Sequence, residues 1–262
     1  MEAAMHRHPP RNLGVNRLRL LVVAAHQDDG ELGCGGFLLQ AANYRAQTTV
    51  CVLADGCAGG NVCLREQEAR EAAVALGADL IQAGLPDTRI PLRPAIKIVE
   101  KVIAEVEPHV VLVHAPADTH QDHRVTARAV MSAARDVPNI LFYEGPSSRN
   151  FVPVTYVDID AVIERKVDLI RLHRSQISRR PFDAWARTTA LYRGMHARPA
   201  CQFAEAFHPA RQFLVPAGLS LAGSLDSAQS KALASWGASR PGGNGRPIIS
   251  CASVLDQGTT PK

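Results

Sequence analysis

Two short stretches of this 262-residue chain hold most of the side chains that could do chemistry together. The first, "AHQDDGELGCGG" (residues 25–36), offers His26, Asp28, Asp29 and Glu31 directly after an apolar run. The second, "HAPADTHQDH" (114–123), offers His114, His120, Asp122 and His123, again directly after an apolar run. Between them they supply two imidazoles and a carboxylate as ligands, with further groups to spare. A catalytic Zn²⁺ takes three such protein ligands and keeps a position open. A hydrolytic site also needs a base for the attacking water and a donor for the oxyanion and leaving group. Asp28 and His120 are available for those tasks. A plainer reading stands beside this one, since Asp29 and Asp122 each sit where an aspartate commonly caps a following helix.

The elements that must position these residues are legible as alternating strands and helices. "LRLLVVAAH" (18–26), "TTVCVLAD" (48–55), "DLIQAGL" (79–85), "HVVLVHA" (109–115) and "NILFYE" (139–144) are short apolar runs, as expected of strands covered on both faces. Helical spacing follows in "GGFLLQAANYRA", in "REQEAREAAVAL" from Arg65 to Leu76 with Gly77 as its stop, and from Pro94 to Glu107, where Pro108 ends it. A further helix runs from the 116–123 loop to about Arg135. The fold class expected is α/β, a Rossmann-like doubly wound and mostly parallel sheet with helices on both faces. Such sheets bind ligands outside the carboxyl ends of their strands, which is where both polar stretches fall. In the second half, "VTYVDI" reads as a strand, and "DAVIERKVDLIRLHRSQI" and "FDAWARTTALYRGMHA" read as helices.

Composition excludes several classes. Apolar residues make up 46% and charged residues 21%, enough for a sizeable core, and the net charge of +4 is spread along the chain without a basic block. We expect no nucleic-acid partner and no membrane partner. With no apolar leader and no run long enough to span a bilayer, a cytoplasmic location is expected. The six cysteines contain no CxxC, and Cys51, Cys57 and Cys63 read as reduced thiols in preference to a cluster. Gly30, Gly33, Gly35 and Gly36 fit a tight turn with a helix start that could hold an anion, or simply close helix–strand packing. The spacing is not G-x-G-x-x-G, which disfavours a dinucleotide. Arg179, Arg180, Arg187 and Arg193 either meet an anionic substrate or form a solvated helix face. His109, His114, His196 and His208 read as strand-end or surface residues, with His114 placed to line the crevice. Residues 1–16 are expected to be a flexible segment, 17–216 the domain, and 217–262, rich in Ala, Ser and Gly, a loosely ordered tail.

"AHQDDGELGCGG" followed by "HAPADTHQDHRVTARAV" resembles the LmbE-like, or PIG-L, family of zinc-dependent N-deacetylases. "LREQEAREAAVALGA", "GLPDTRI", "YEGPSSRNFVPVTYVDID", "LHRSQI" and "AEAF" match segments of that family in the same order, so the resemblance covers about residues 18–215. It implies one Zn²⁺ per chain held by His26, Asp29 and His123, with Asp28 as general base. It further implies that His120 stabilises the tetrahedral intermediate and protonates the amine, that Asp122 orients an imidazole, and that Arg65 and Asp87 touch the sugar. The implied activity is removal of acetate from an N-acetylglucosamine-type sugar or glycoside, a small-molecule substrate such as occurs in small-thiol or glycosylated natural-product biosynthesis. An amidase for a larger thiol–sugar conjugate and a non-catalytic sugar-binding protein are the alternatives; the intact Asp28 argues against the second. A homo-oligomer is expected because sheets of this type commonly associate. Gln27 departs from the family pattern, which has proline there; His173 and Glu205 fall in matched segments and read as positioning groups.

Overall fold

A computed structural model describes residues 5–6, 17–199, 201–215 and 220–221. These all fall within Met1–Ser224, one of two units of the chain; the other, Leu225–Lys262, lies outside the described residues. The apolar runs become strands β2 (Arg19–Ala24), β3 (Gln47–Ala54), β4 (Asp79–Leu85), β5 (Val110–His114) and β6 (Asn139–Tyr143), all mutually parallel. The described two-residue strand β1 (Met5–His6) pairs antiparallel with β4, and β7 (Thr155–Asp158) and β8 (Ala204–Arg211) close the other edge antiparallel. The eight-stranded order is β1-β4-β3-β2-β5-β6-β8-β7. A separate antiparallel pair joins β9 (Leu214–Val215) to β10 (Ser220–Leu221).

Strand β2 lies at the centre with its residues alternating between two cores. Leu20 and Val22 join Cys34, Leu38 and Leu39 of helix α1 (Asp29–Asn43) and Ile163 and Val167 of α5 (Ile163–Arg171). Leu21 and Val23 join Ala95, Val99 and Val102 of α3 (Leu92–Val106) and Ala129 and Val130 of α4 (Gln121–Ala133). Full burial on both faces explains why these strands show no polar alternation. From β2 the chain winds to one side through β3 and β4, then returns to place β5 beside β2. The crevice at that reversal is the expected ligand position of a doubly wound sheet. It brings the segment after β2 and the segment after β5 face to face, although they are 90 residues apart.

Four local features differ from the expectation. Helix α1 begins at Asp29, ahead of the expected start at Gly35, so Gly30 and Gly33 are helical as well; a Cβ on Gly33 would lie 2.2 Å from Cδ2 of Tyr143, and one on Gly36 2.8 Å from Ile159. Of the two readings of these glycines, close packing therefore holds for Gly33 and Gly36, and the helix start precedes them. The helix expected over 160–177 breaks after Arg171 and resumes as α6 (Arg174–Ile177), the break turning His173 toward Glu31, with Nε2 3.7 Å from Oε2. Helix α2 (Val62–Leu76) starts three residues earlier than Arg65, capped by the Asn61 side chain on Leu64 N–H, and ends at left-handed Gly77. Strand β8 was not expected as a strand at all. Helix α7 (Phe182–His196) is as expected. Apart from β1 and β10, the N-terminal segment 1–16 and the tail 217–262 lie outside the described residues, and no described helix is long and apolar enough to cross a membrane. Cys34, Cys51, Cys57 and Cys63 are free thiols.

Candidate active site

His26, Asp28, Asp29, Arg65, Asp87, His120, Asp122 and His123 meet at the crevice between β2 and β5, whereas Glu31 faces His173. Asp29 opens α1 and accepts a hydrogen bond from the His26 backbone N–H at 2.7 Å, which fixes its carboxylate over the sheet end. Its Oδ2 lies 3.2 Å from His26 Nδ1 and its Oδ1 3.5 Å from His123 Nε2. One carboxylate is thus shared by two imidazoles arriving from the two segments. The outward nitrogens of both rings are engaged as well. His26 Nε2 is 3.1 Å from Asp87 Oδ1 and 3.4 Å from Asp122 Oδ2. His123 Nδ1 is 3.1 Å from Asp118 Oδ2 and 3.3 Å from Ser147 Oγ.

An imidazole held by a carboxylate on one nitrogen, with the other aimed at a shared centre, is how metal-binding histidines are set in orientation and tautomer. The nitrogen–oxygen–nitrogen donor set of His26, Asp29 and His123 suits a cation of the Zn²⁺ type. Potential ligand atoms lie within 4.8 Å of one another in three groups at this crevice, His26 with His120 and His123, Asp29 with His114 and His123, and His26 with Asp87 and Asp122, so His123 shares one group with His26 and another with Asp29. The residues therefore fit a bound metal ion.

Asp28 occupies the N-cap position of α1 but makes no capping bond with its side chain. Its Oδ1 instead faces Arg65 Nη2 at 3.4 Å, and Arg65 Nη1 donates to the Gly56 carbonyl at 3.0 Å. His120 caps α4: its Nδ1 accepts from the Asp122 N–H at 3.3 Å, which leaves Nε2 as the protonated nitrogen of the neutral ring. The His120 ring stands 4.8 Å edge-on from His26 and stacks 4.6 Å from His123. Asp122 accepts from the N–H groups of Thr88 and Ile90 while facing His26, so it both anchors the 86–90 loop and orients that ring. Asp87 lines the cleft, yet both its oxygens are engaged, Oδ1 with His26 and Oδ2 by the Ala58 N–H. The cleft is about 410 Å³ and is walled by Arg65, His120, Ser147, Gln176, Arg179 and Phe182 among others.

The electrostatics divide the two adjacent aspartates. Burial, followed by repulsion from Asp29, pushes the Asp28 carboxyl above its ordinary value. Burial acts on Asp29 in the same direction, but the imidazoles of His123 and His114 outweigh it and hold the carboxyl well below the usual range. Burial alone would lower His26 and His123; the carboxylates around them win, leaving His26 well raised and His123 at about 9. His120 moves down, through burial and then through His26 and His123. Neighbouring carboxyls with oppositely displaced pKa values are a mark of divided roles, one as a base and one as a permanent anion.

Asp118 was not expected in the cluster, and His114 sits deeper in it than a residue lining the crevice. His114 read as a strand-end residue, yet it is buried, its ring stacks 3.9 Å from His123, and its Nε2 accepts from the Ala25 N–H and lies 3.2 Å from Asp29 Oδ2. Burial, with His123 next, takes its pKa down to about 4, so the ring is neutral. Its signal was a histidine ending an otherwise apolar strand. Asp118 lay unnoticed in the loop; it supports His123, accepts from the His120 N–H at 2.8 Å and pairs with Ser148 Oγ. Gln27, in place of proline, sends Nε2 to the Asp55 carbonyl at 3.1 Å and so ties the His26 turn to the end of β3. The "HRSQ" segment packs onto α2: Ser175 donates through N–H and Oγ to Glu68, and Gln176 donates to the Gly59 carbonyl.

The family model described as GlcNAc-PI de-N-acetylase (PIG-L) matches residues 21–134. The chain is 32% identical over 170 residues to the uncharacterized deacetylase YaiS of Escherichia coli (strain K12), covering 61% of this chain and 92% of that protein. It is 29% identical over 208 residues to the diacetylchitobiose deacetylase of Thermococcus kodakarensis (strain ATCC BAA-918 / JCM 12380 / KOD1), covering 67% and 78%. Among solved structures, the conserved protein TT1542 from Thermus thermophilus superposes with a TM-score of 0.67 at 30% identity, covering 76% of this chain and 98% of that one.

Proposed function

The chain belongs to the PIG-L (LmbE-like) family, and from that premise we propose that it is a zinc-dependent N-deacetylase of an N-acetylglucosamine-type sugar or glycoside, releasing acetate and a free amine. One observation carries the reading. His26 and His123 converge on Asp29 with their outward nitrogens already held by carboxylates, and the uncapped carboxylate of Asp28 stands beside them. Two relatives named as deacetylases, one of them acting on diacetylchitobiose, support the amide and sugar parts of the assignment.

In this reading His26, Asp29 and His123 would hold the ion. The chemistry a divalent cation supplies there is Lewis acidity toward an amide carbonyl and acidification of a water molecule. Asp28, raised by burial and unoccupied by capping, takes the proton of the attacking water. Arg65 keeps that carboxylate facing the cleft. His120, with Nε2 as its protonated nitrogen, donates to the oxyanion and passes that proton to the departing amine as the proton Asp28 took from the water replaces it, so the ring ends neutral and Asp28 ends as the carboxylate. Asp122 and Asp118 orient His26 and His123, and Arg65 and Asp87 border the sugar.

The test is acetate release from N-acetylglucosamine, its methyl glycoside and N,N′-diacetylchitobiose by zinc-loaded protein, compared with Asp28→Asn. The variant should lose roughly 10²–10⁴-fold in turnover, the usual worth of a positioned base, while still taking up metal. Undiminished turnover in Asp28→Asn would remove Asp28 from the mechanism. Absence of acetate with every probe would overturn the deacetylase assignment.

A further inference from the structure

The arginines of the segment from 171 to 193 divide into two groups by what they touch. Those outside the cleft each have a carboxylate partner. Arg171 faces Asp168 and Asp183, Arg174 faces Glu71, Arg187 faces Glu164, and Arg193 forms a two-pronged pair with Glu144 at 2.8 and 2.7 Å. Arg179 and Arg180 are exposed, line the cleft, and make no side-chain hydrogen bond or ion pair among the described residues. They follow α6, whose Gln176 carbonyl accepts both of their backbone N–H groups, so the turn that presents them is hydrogen-bonded. Arg179 reaches the opposite wall, where its Nη2 would lie 3.6 Å from a Cβ on Gly60.

The carboxylates of the same cleft are in the reverse situation. Asp28 faces Arg65, Asp29 is enclosed by imidazoles, and Asp87 is divided between His26 and the Ala58 N–H. Among the described residues lining the cleft, the exposed charge without a partner is therefore positive. Two guanidinium groups supply a fork geometry suited to phosphate or carboxylate oxygens.

We infer that Arg179 and Arg180 form an anion subsite, so that the acetamido substrate carries a phosphate or carboxylate group beyond the amide to be cleaved. This deepens the deacetylase reading and rests on it for the amide part only. The two side chains act on recognition, so their effect falls on KM and on binding; Asp28 and His120 keep their roles in turnover. Phe182, next in the cleft wall, gives the intervening sugar an apolar surface.

The experiment compares methyl N-acetylglucosaminide with N-acetylglucosamine 1-phosphate and 6-phosphate on the zinc-loaded full chain, in wild type and in Arg179→Ala/Arg180→Ala. Both residues are exposed, so the double variant should fold normally, which circular dichroism checks. We expect kcat/KM for at least one phosphorylated sugar to exceed that for the neutral glycoside by roughly tenfold or more, as charge-assisted hydrogen bonds supply. The preference, read as the ratio of kcat/KM for the phosphorylated sugar to that for the neutral glycoside, should vanish in the double variant. Equal turnover of neutral and phosphorylated sugars, or a preference that survives both substitutions, overturns the subsite and leaves the deacetylase reading intact. Calorimetric binding of the same probes separates the two claims if no acetate appears. Arginine-dependent tighter binding of a phosphorylated sugar would then sustain the subsite alone, and indistinguishable binding would end both.

Discussion

Replacing Glu205 with leucine is expected to destabilise the folded protein more than any substitution on its surface. Glu205 and Lys166 are 4% and 3% exposed, and Lys166 Nζ lies 2.6 Å from Glu205 Oε1. The pair is wired into α1: Glu205 accepts the Gly36 and Phe37 N–H groups at 2.7 Å each, and Lys166 donates to the Leu32 carbonyl at 2.9 Å. It thus joins β8 and α5 to the helix whose first residues are the site. Removing one partner strands a buried charge, which costs about 3–5 kcal/mol. In a folded unit of this size about 1 kcal/mol moves the melting temperature by roughly 2–4 °C, so a fall of roughly 6–20 °C follows. Replacing both partners by apolar residues of similar volume, Glu205→Leu/Lys166→Met, removes the stranded charge and should recover most of the loss. Urea and thermal unfolding followed by circular dichroism, on metal-free protein, measure both. A single variant within about 1 kcal/mol of wild type, or a double variant as unstable as the two singles combined, would refute the reasoning.

Three further outcomes follow from particular contacts. Gly33→Ala should lower stability by about 1–3 kcal/mol in urea unfolding, because its Cβ would overlap the buried Tyr143 ring, whose Cδ2 is 2.2 Å away. Gln27→Met should cost less than about 1.5 kcal/mol in the same assay, since the lost bond to the Asp55 carbonyl is offset by removing Oε1, a buried acceptor without a partner. His109, held neutral while accepting the Arg19 N–H, has a pKa lowered by burial and then by Arg19. Its contribution is therefore full above 6.5 and is lost as the pH falls below that value toward the folded pKa. His109→Asn, which keeps an acceptor but does not titrate, should show a smaller fall in melting temperature between pH 7.5 and 5; an unchanged fall would remove His109 from the acid response.

The sheet and the crevice were legible because β2, β3, β5 and β6 are buried on both faces, which leaves an unbroken apolar run in each. The site was legible because its groups stand at strand ends, where nothing in the core calls for an imidazole or paired carboxylates. What stayed hidden depends on contacts between distant residues. Helix α1 reaches back to Asp29 through glycines that read as a turn, and only the proximity of Tyr143 and Ile159 explains why side chains are missing there. Strand β8 is short in apolar residues since Glu205 serves α1 and its later half is partly exposed. The break at His173 follows from Glu31 and Glu68, both far away in the chain, which no local periodicity reports. The position of His114 at the crevice was legible, but its burial against His123 and Asp29 follows only from placing β2 and β5 side by side.

Metal content measured together with acetate release tests the central claim most directly. The purified protein is assayed as isolated, after chelation, and after zinc is restored, with each sample analysed for bound metal. The account predicts about one zinc per chain, in line with a single three-ligand site, and acetate release that disappears and returns with it. Acetate release that persists in demonstrably metal-free protein, or metal binding that survives His26→Ala/His123→Ala, would contradict it.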